Sequence, residues 1–370
     1  SCFSGFHLLL TDSLGPKSLA SRYLNTNRAE INPMLVGGGS VINKKIRLLF
    51  WDGYGNKANY EKSLAQVPGK VQDYVDILVP NFTGDLKADG SFGYVFGRAA
   101  VARSLTALGH SQGVAVVPMI LGSGATANTM LLNPSKRANF VRCALQVVRE
   151  TQADGIMVDL EGIATNTGPG LTALMRELTP LLQAEGKLSM IAVMARTSVG
   201  AEPWNKQYEY AELAQYSDYI QIMAYDYHHA GSGPGPIAPL PWVDKVAKYA
   251  VSQIPPTKIL LGIPAYGRSW SHNGYKWVVS HLSMAKARQT AEKYCAEIIY
   301  QVTSDDKIGI PMYTYRDNRQ MPCTTYFDDG RSWQAKLKLV DKYKLGGIGV
   351  WSMHWLDAAS APEMYELLKF

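Results

Sequence analysis

The sequence contains no long hydrophobic run. No stretch approaches the roughly 20 consecutive apolar residues of a transmembrane helix, so a membrane span is not expected. Charge of one sign is also scarce, because the formal net charge is only +6 and the Lys and Arg residues are scattered along the chain. The lack of a basic stripe argues against nucleic acid as a partner. The small positive excess favours acidic partners such as anionic cell-wall polymers.

Cysteine is rare, and its spacing gives no metal-binding or redox motif. The four cysteines are Cys2, Cys143, Cys295 and Cys323. Cys143 lies within a predicted helix and is expected to be a buried thiol, whereas Cys295 and Cys323 fall in one irregular segment and could form a disulfide. His228-His229 is the only histidine cluster, and adjacent side chains point apart. We therefore predict neither a metal site nor a cofactor.

The composition and the order of apolar runs predict a large α/β fold. Hydrophobic residues make up 46% of the 370 residues and charged residues 18%, which allows a large buried core. Eight short runs rich in Val, Ile, Leu and Met have the composition of parallel strands buried on both faces. They span residues 46–52, 75–81, 113–122, 155–161, 188–196, 219–226, 259–266 and 347–352. Amphipathic stretches alternate with them, at residues 98–108, 135–151, 171–185, 208–216, 242–252, 332–343 and 361–368.

This alternation of strands and helices predicts a closed (β/α)8 TIM barrel. An open doubly wound sheet is the alternative, but no glycine-rich dinucleotide turn follows the first strand. The gap between the seventh and eighth runs is much longer than the others and carries strand and turn residues. We therefore predict a small α+β insertion at about residues 268–329. Residues 46–370 are assigned to the catalytic barrel and residues 1–45 to an N-terminal extension or linker.

Residues 154–161, with the sequence DGIMVDLE, carry two carboxylates on one predicted strand. Apolar and other side chains alternate with the period of two that is typical of a strand, so Asp159 and Glu161 share a face. Burying two carboxylates on one face is unfavourable unless they are paired or used. A structural ion pair is one interpretation. The other is catalysis, because a partly desolvated Glu beside a charged carboxylate can act as a general acid.

Chemistry in a (β/α)8 barrel gathers at the C-terminal ends of the strands. Here those ends carry aromatic rings and carboxylates with few Lys or Arg. Rings stack on the apolar faces of sugars, and carboxylates protonate or orient them, so we predict that the partner is a polysaccharide. The strand-end residues are Trp51, Asn81, Glu161, Met194, Asp226, Tyr266 and Trp351.

Three motifs, in order along the predicted barrel, resemble glycoside hydrolase family 18, the chitinases and their relatives. Residues 154–161 resemble the family's DxxDxDxE segment, Met223-Ala-Tyr225-Asp226 resembles its MxYD segment, and Trp351 resembles its eighth-strand tryptophan. Residues 229–242 are similar to a loop of the bacterial spore-cortex-lytic branch, whose members cleave N-acetylglucosaminyl bonds in peptidoglycan. The resemblance spans about residues 46–370.

The resemblance implies a retaining glycosidase that cleaves β-1,4 bonds at N-acetylglucosamine in peptidoglycan or chitin, with the substrate's own acetamido group as nucleophile. Glu161 would be the acid and then the base, while Asp159 would hold the acetamido N–H. Tyr225 would bind the acetamido oxygen, and Asp226 would orient the sugar and Glu161. Trp351 would form the floor of the subsite that holds the reacting sugar, beside Met223. From their positions at strand ends, Trp51, Asn81 and Tyr266 are further predicted substrate contacts.

One residue departs from the family pattern. Met157 stands where the family has Asp, or Asn in the cortex-lytic branch, and a thioether cannot share a proton with Asp159. The alternative function is therefore a catalytically silent, carbohydrate-binding lectin, although such relatives usually lack the acid that Glu161 supplies. With either function we expect a monomer that is secreted or associated with the cell wall or spore.

Overall fold

The computed structural model describes residues 44–357, 359 and 361–370, so the predicted N-terminal extension lies almost entirely outside the described residues. The strands β1 to β14 span Ile46–Trp51, Ile77–Pro80, Ala115–Val116, Met119–Ser123, Gly155–Glu161, Leu188–Met194, Tyr219–Met223, Ile259–Pro264, Tyr266–His272, Trp277–Ser283, Ile299–Tyr300, Pro311–Arg316, Pro322–Tyr326 and Gly347–Trp351. The helices α1 to α10 span Lys57–Ala65, Ala99–Ser111, Gly124–Leu131, Pro134–Thr151, Gly168–Ala184, Tyr210–Gln215, Leu240–Gln253, Met284–Lys293, Gly330–Lys342 and Pro362–Glu366.

Nine of these strands form a parallel sheet in the order β3-β2-β1-β14-β8-β7-β6-β5-β4. The two outermost strands, β3 and β4, are consecutive halves of one run that is interrupted at Val117 and Pro118. Because β3 pairs with β2 and β4 pairs with β5, the sheet closes on itself. The predicted (β/α)8 TIM barrel is confirmed, with its third strand broken in two.

Aspartates at the N-terminal ends of three strands fix the start of the neighbouring strand. Asp76, Asp154 and Asp218 each accept a backbone N–H from the adjacent strand, at distances of 2.8–2.9 Å. Asp154, the first residue of the DGIMVDLE segment, also lies 2.7 Å from the imidazole of His110. This carboxylate is therefore structural and lies at the end of the barrel opposite to Glu161.

Apolar side chains pack on both faces of the barrel strands. One layer fills the barrel interior with alternate side chains, among them Met119, Met157, Met190, Tyr219 and Leu260. The other packs the outer faces of the strands against the helices. The strands are apolar on both faces for this reason, as expected for a parallel sheet covered by helices. None of the described helices is long and apolar enough to span a membrane.

The predicted α+β insertion between the seventh and eighth barrel strands is confirmed. It consists of a five-stranded antiparallel sheet in the order β10-β9-β13-β12-β11, together with α8. β9 begins at Tyr266, two residues after barrel strand β8 ends, so the sheet rises from the C-terminal rim of the barrel. Cys295 and Cys323 lie within this insertion as free thiols, so the disulfide considered between them is not formed. Cys143, in α4, is a buried free thiol, as predicted.

Candidate active site

A cleft of about 1040 Å³ opens at the C-terminal ends of the barrel strands, with the insertion along one side. Its centre carries acidic and aromatic side chains from the barrel. Its outer parts are formed by loops and by the insertion. The sequence-predicted residues that line it are Asp159, Glu161, Met194, Met223, Tyr225, Asp226, Tyr266 and Trp351.

Asp159 and Glu161 stand side by side at the end of β5. Asp159 is only 3% exposed, whereas Glu161, the last residue of the strand, is half-buried at the cleft floor. The two carboxyl groups lie within hydrogen-bonding reach of each other. Burial raises the pKa of both groups, and the charge of Glu161 raises that of Asp159 further. The pair therefore holds a proton at a pH where isolated carboxylic acids have lost it.

Two other buried carboxylates among the described residues have cationic partners. Asp76 accepts from Arg47 Nε at 3.0 Å, and Asp328 is in contact with Lys336, with both side chains of each pair buried. Among the described residues, no cation contacts Asp159 or Glu161, and Oδ1 of Asp159 has no hydrogen-bond partner. A structural ion pair therefore does not explain the two carboxylates. Their unpaired lone pairs face a cleft in which a ligand N–H or a developing positive charge could bind.

Tyr225 and Asp226 follow β7, which is separated from β5 by one strand of the sheet. Burial is the main cause that raises the pKa of the Tyr225 phenol well above its ordinary value, and the charges of Asp159, Glu161 and Asp226 add to it. The phenol therefore stays protonated and available as a hydrogen-bond donor. Asp226 has a φ of 59°, in the left-handed region, which turns the chain out of the barrel strand.

Side chains from the insertion hold the carboxylate of Asp226 in place. The hydroxyl of Tyr266 donates a hydrogen bond to its Oδ1, and Nη1 of Arg268 lies 2.8 Å from the same oxygen. Arg268 itself is buried and donates from Nε to His281 Nε2 at 3.1 Å and from Nη1 to the carbonyl of His228 at 3.0 Å. Asp226 is therefore oriented by groups that lie far away in the sequence.

Apolar side chains form the floor of the cleft beside the carboxylates. Trp351 at the end of β14 packs on Phe50, with ring centroids 5.0 Å apart, and Met223 lies in the same apolar cluster. The peptide bond between Trp351 and Ser352 is cis. Rings in this position can stack against the apolar face of a pyranose that lies over Glu161.

Two predicted substrate contacts, Trp51 and Asn81, do not line the cleft. Trp51 is fully buried and its Nε1 donates to the carbonyl of Tyr60 at 3.0 Å. The prediction for Trp51 is wrong because successive strand residues point to opposite faces, and it is Phe50 that faces the barrel interior. Asn81 is half-buried and hydrogen-bonds to the carboxylate of Asp52, and its role as a substrate contact stays a prediction.

Several lining residues were not predicted from the sequence. Arg268 and His281 come from the insertion, and their strands give no sign that they turn toward the acids of the barrel. Rings that lie outside the barrel strands also line the cleft, among them Tyr54, Trp204, Tyr227 and Trp355. The content of aromatic residues, 10% of the chain, is the one feature of the sequence that indicates additional rings in the cleft.

The two histidines after β7 have different surroundings. Nδ1 of His228 donates to the carbonyl of Pro236 at 2.9 Å, while His229 lines the cleft. Across the part of the chain that the structure describes, no group of three or more His, Cys, Asp or Glu side chains could hold a metal ion.

Known proteins share both the fold and the sequence pattern. The C-terminal domain of a "putative chitinase" from Desulfitobacterium hafniense DCB-2 superimposes with a TM-score of 0.84 and 36% identity, covering 88% of this chain and 98% of that domain. The spore cortex-lytic enzyme SleL of Bacillus cereus has the same fold, with a TM-score of 0.73 and 21% identity over 88% of this chain and 73% of SleL.

Among curated proteins, the "Putative sporulation-specific glycosylase YdhD" of Bacillus subtilis is 33% identical over 225 residues, or 60% of this chain. The match covers 52% of YdhD, so the chain spans about half the length of this relative. Residues 50–355 match the family model described as Glycosyl hydrolases family 18, which covers most of the barrel, the insertion and the residues that line the cleft. The chain belongs to glycosyl hydrolase family 18.

Proposed function

We propose that this protein is a retaining glycosidase that cleaves β-1,4 bonds at N-acetylglucosamine. The observation that carries the proposal is the carboxylate pair of Asp159 and Glu161, buried at the cleft floor without a cation. Leaving two such groups unpaired costs stability. The arrangement suits two catalytic roles. A general acid benefits from a raised pKa, and a positively charged transition state is stabilised by a nearby carboxylate.

The first step of the proposed reaction breaks the glycosidic bond. The Glu161 carboxyl transfers its proton to the glycosidic oxygen, and the acetamido oxygen of the same sugar attacks the anomeric carbon. The products are the released alcohol and a cyclic oxazolinium ion. Asp159 accepts a hydrogen bond from the acetamido N–H and stabilises the positive charge, while the Tyr225 hydroxyl donates to the acetamido oxygen. Glu161, now ionised, removes a proton from water as the water opens the ring.

The closeness of the two carboxylates supports substrate assistance over a protein nucleophile. When a carboxylate attacks the anomeric carbon itself, the acid and the nucleophile stand about 5–5.5 Å apart with the sugar between them. Asp159 and Glu161 lie within hydrogen-bonding reach of each other, so no sugar carbon fits between them. Asp159 is also deeply buried below Glu161. These positions favour the acetamido group as nucleophile.

The polymer is proposed to be peptidoglycan or chitin. Curated relatives include cortical fragment-lytic enzymes of Bacillus and the human di-N-acetylchitobiase, at 26% and 25% identity. The net charge of +6 is compatible with an anionic cell-wall glycan. We accordingly propose that the protein acts outside the cytoplasm, at the cell wall or the spore.

Matched substrates test the mechanism directly. Oligomers with an N-acetyl group at the reacting sugar should be cleaved, whereas oligomers with a free 2-amino group there should be inert. A thiazoline analogue of N-acetylglucosamine should inhibit competitively, because it resembles the oxazolinium ion. Equal cleavage of acetylated and deacetylated oligomers would overturn the mechanism. Binding of the acetylated oligomer without turnover would identify a lectin, and mass spectrometry of the products from peptidoglycan and chitin would identify the polymer.

A further inference from the structure

Two exposed aromatic side chains lie at the tip of the hairpin formed by β9 and β10. Tyr275 is 95% exposed and Trp277 38%. We call these two residues the hairpin aromatic surface. It lies outside the cleft described above, and the reaction proposed at the cleft does not use it. Tyr and Trp are enriched at binding surfaces because each combines a large apolar ring with a polar group.

The hairpin turn holds Tyr275 in a defined position. Oδ1 of Asn273 accepts hydrogen bonds from the backbone N–H groups of Tyr275 and Lys276, at 3.0 and 2.9 Å. The backbone N–H of Asn273 also donates to the Lys276 carbonyl at 3.2 Å. Gly274 supplies the φ of 93° that the turn requires. Tyr275 is thus displayed on an ordered turn.

The indole of Trp277 is held by neighbouring groups and remains partly exposed. A Cβ on Gly233 would stand 3.1 Å from three atoms of the indole, so the backbone of the loop after β7 lies directly against the ring. The imidazole of His272 meets the same ring edge-on, with centroids 5.0 Å apart. The indole is therefore held between the loop and His272 while part of it stays exposed, so a sugar could stack on it.

The hairpin aromatic surface is continuous with the cleft through this loop. Tyr227 and His229, earlier in the loop, line the cleft. His229 is joined to the part of the loop beneath Trp277, because its N–H donates to Ser232 Oγ at 2.9 Å. Its carbonyl accepts from Trp270 Nε1 of β9 at 3.2 Å. A polymer that leaves the cleft over His229 would therefore reach Trp277 and then Tyr275.

We propose that the hairpin aromatic surface is an accessory polysaccharide-binding site that holds the substrate chain beyond the reacting sugar. The proposal rests on the proposed function, because the polymer is the one cut in the cleft. Residues 272–278 include Lys276 and no acid, which suits a neutral or anionic glycan. Two side chains are too few for the roughly 800 Å² that each partner buries in a stable protein–protein interface, whereas two rings suffice to stack sugars.

The test compares polymer with short oligomer. The double variant Tyr275→Ala/Trp277→Ala should bind insoluble peptidoglycan or chitin about tenfold more weakly, as expected for the loss of two aromatic contacts. Its kcat/KM on a chromogenic oligomer short enough to fill only the cleft should stay within about twofold of the wild type. The variant Trp277→Phe should retain most of the polymer binding, because it keeps an apolar ring against Gly233.

The matched control is Ile299→Ala/Val302→Ala, which removes exposed apolar side chains at the opposite edge of the same sheet. It should leave polymer binding unchanged. Unchanged polymer binding by the Tyr275/Trp277 variant, or equal losses on polymer and oligomer, would overturn the proposal. A change in oligomeric state on size-exclusion chromatography, with polymer binding intact, would assign the surface to a second copy of the chain instead.

Binding to the polymer is measured without reference to turnover, so the two proposals fail separately. Suppose that the wild-type protein cleaves no substrate but the double variant binds the polymer more weakly. This result would support the accessory site and refute the glycosidase. Wild-type cleavage of the oligomer with no difference in polymer binding would refute the accessory site alone.

Discussion

Arg268 and His281 face each other across the β9–β10 ladder, and Nε of the guanidinium donates to Nε2 of the imidazole at 3.1 Å. Because Nε2 accepts this bond, the neutral imidazole carries its proton on Nδ1. The same guanidinium holds Asp226 at 2.8 Å. In protonated His281, Nε2 would carry a hydrogen and could no longer accept from Nε of Arg268. The guanidinium that orients Asp226 would then be held less firmly. His281 is thus a positioning residue whose charge state is coupled to the cleft.

We expect His281 to contribute to the acidic limb of the activity profile. Burial and then the charge of Arg268 lower the pKa of His281, while the charge of Asp226 raises it. The imidazole also faces Tyr266 and Trp355. The depressed pKa keeps the imidazole neutral below the usual range for histidine, so the acceptor is lost only as the pH falls further. The kcat/KM of the wild-type protein should therefore decrease as the pH falls through this lowered pKa.

Substitutions at His281 separate this role from simple packing. His281→Gln keeps an acceptor near the position of Nε2 but cannot take up a proton, so its profile should lose that acidic step and keep near wild-type kcat/KM at pH 7. His281→Arg places a permanent positive charge beside Arg268 and should lower kcat/KM about tenfold at all pH values. His272→Asn, on the same hairpin without contact to Arg268, is the control. A His281→Gln variant with the wild-type acidic limb would contradict the role.

Glu161→Gln should abolish hydrolysis while oligomer binding remains. The amide keeps the shape and hydrogen-bonding capacity of the side chain but cannot donate the proton, and loss of a general acid lowers rates by about 10²- to 10⁴-fold. Turnover assays and calorimetric titration with the same oligomer would measure both properties. Turnover near the wild-type level would refute the assignment of Glu161.

Asp159→Asn should make the protein more stable and less active. The raised pKa of Asp159 means that the folded state resists its ionisation, so the contribution of this group to stability is present below the unfolded pKa near 4 and is lost as the pH rises. Replacing the carboxyl with an amide removes that penalty. We expect Tm to rise by about 2 °C at pH 7 and the gain to vanish near pH 3. If the Asp159→Asn variant melts lower than wild type at pH 7, the carboxylate is stabilised by a partner.

The barrel could be predicted because its strands are apolar on both faces and end in recognisable residues. The helices α1, α3 and α8 were not predicted, since each is short and carries few large apolar residues. In α1, for example, the buried residues Tyr60, Ser63 and Leu64 have helical spacing, but only Tyr60 and Leu64 are large and apolar, which is too few to define a period. Local pattern is too weak in such helices to compete with turn signals.

The centre of the site was accessible from the sequence because its acids lie on two barrel strands. Its surroundings were not. A shift of one residue along a strand moves the side chain to the other face. At the end of β1 the side chain that faces the cleft is therefore that of Phe50 and not that of the predicted Trp51. Arg268 and His281 meet Asp226 only through the tertiary position of the insertion, which no local pattern encodes.

Met157 lies on the same face of β5 as Asp159, one pleat deeper in the barrel. Its side chain is fully buried, and it stands in register with Met119 of β4 and Met190 of β6. The thioether is therefore an apolar filler directly below the carboxylate pair, so Asp159 has no acidic neighbour on its inner side. On this strand Glu161 is then the one carboxyl group that raises the pKa of Asp159.

Met157→Asp should change the titration of this pair. A carboxyl one pleat below Asp159 adds a like charge, so one pKa of the group should rise and the acids should titrate as a coupled unit. The acidic side of the pH–rate profile should shift, and the free energy of unfolding should fall by about 2–4 kcal/mol because a polar group replaces an apolar one in the interior. Met157→Asn is the matched control, since it carries the same burial cost without a titrating group. If both variants are destabilised and both keep the wild-type pH profile, Met157 serves packing alone and the proton is not shared below Asp159.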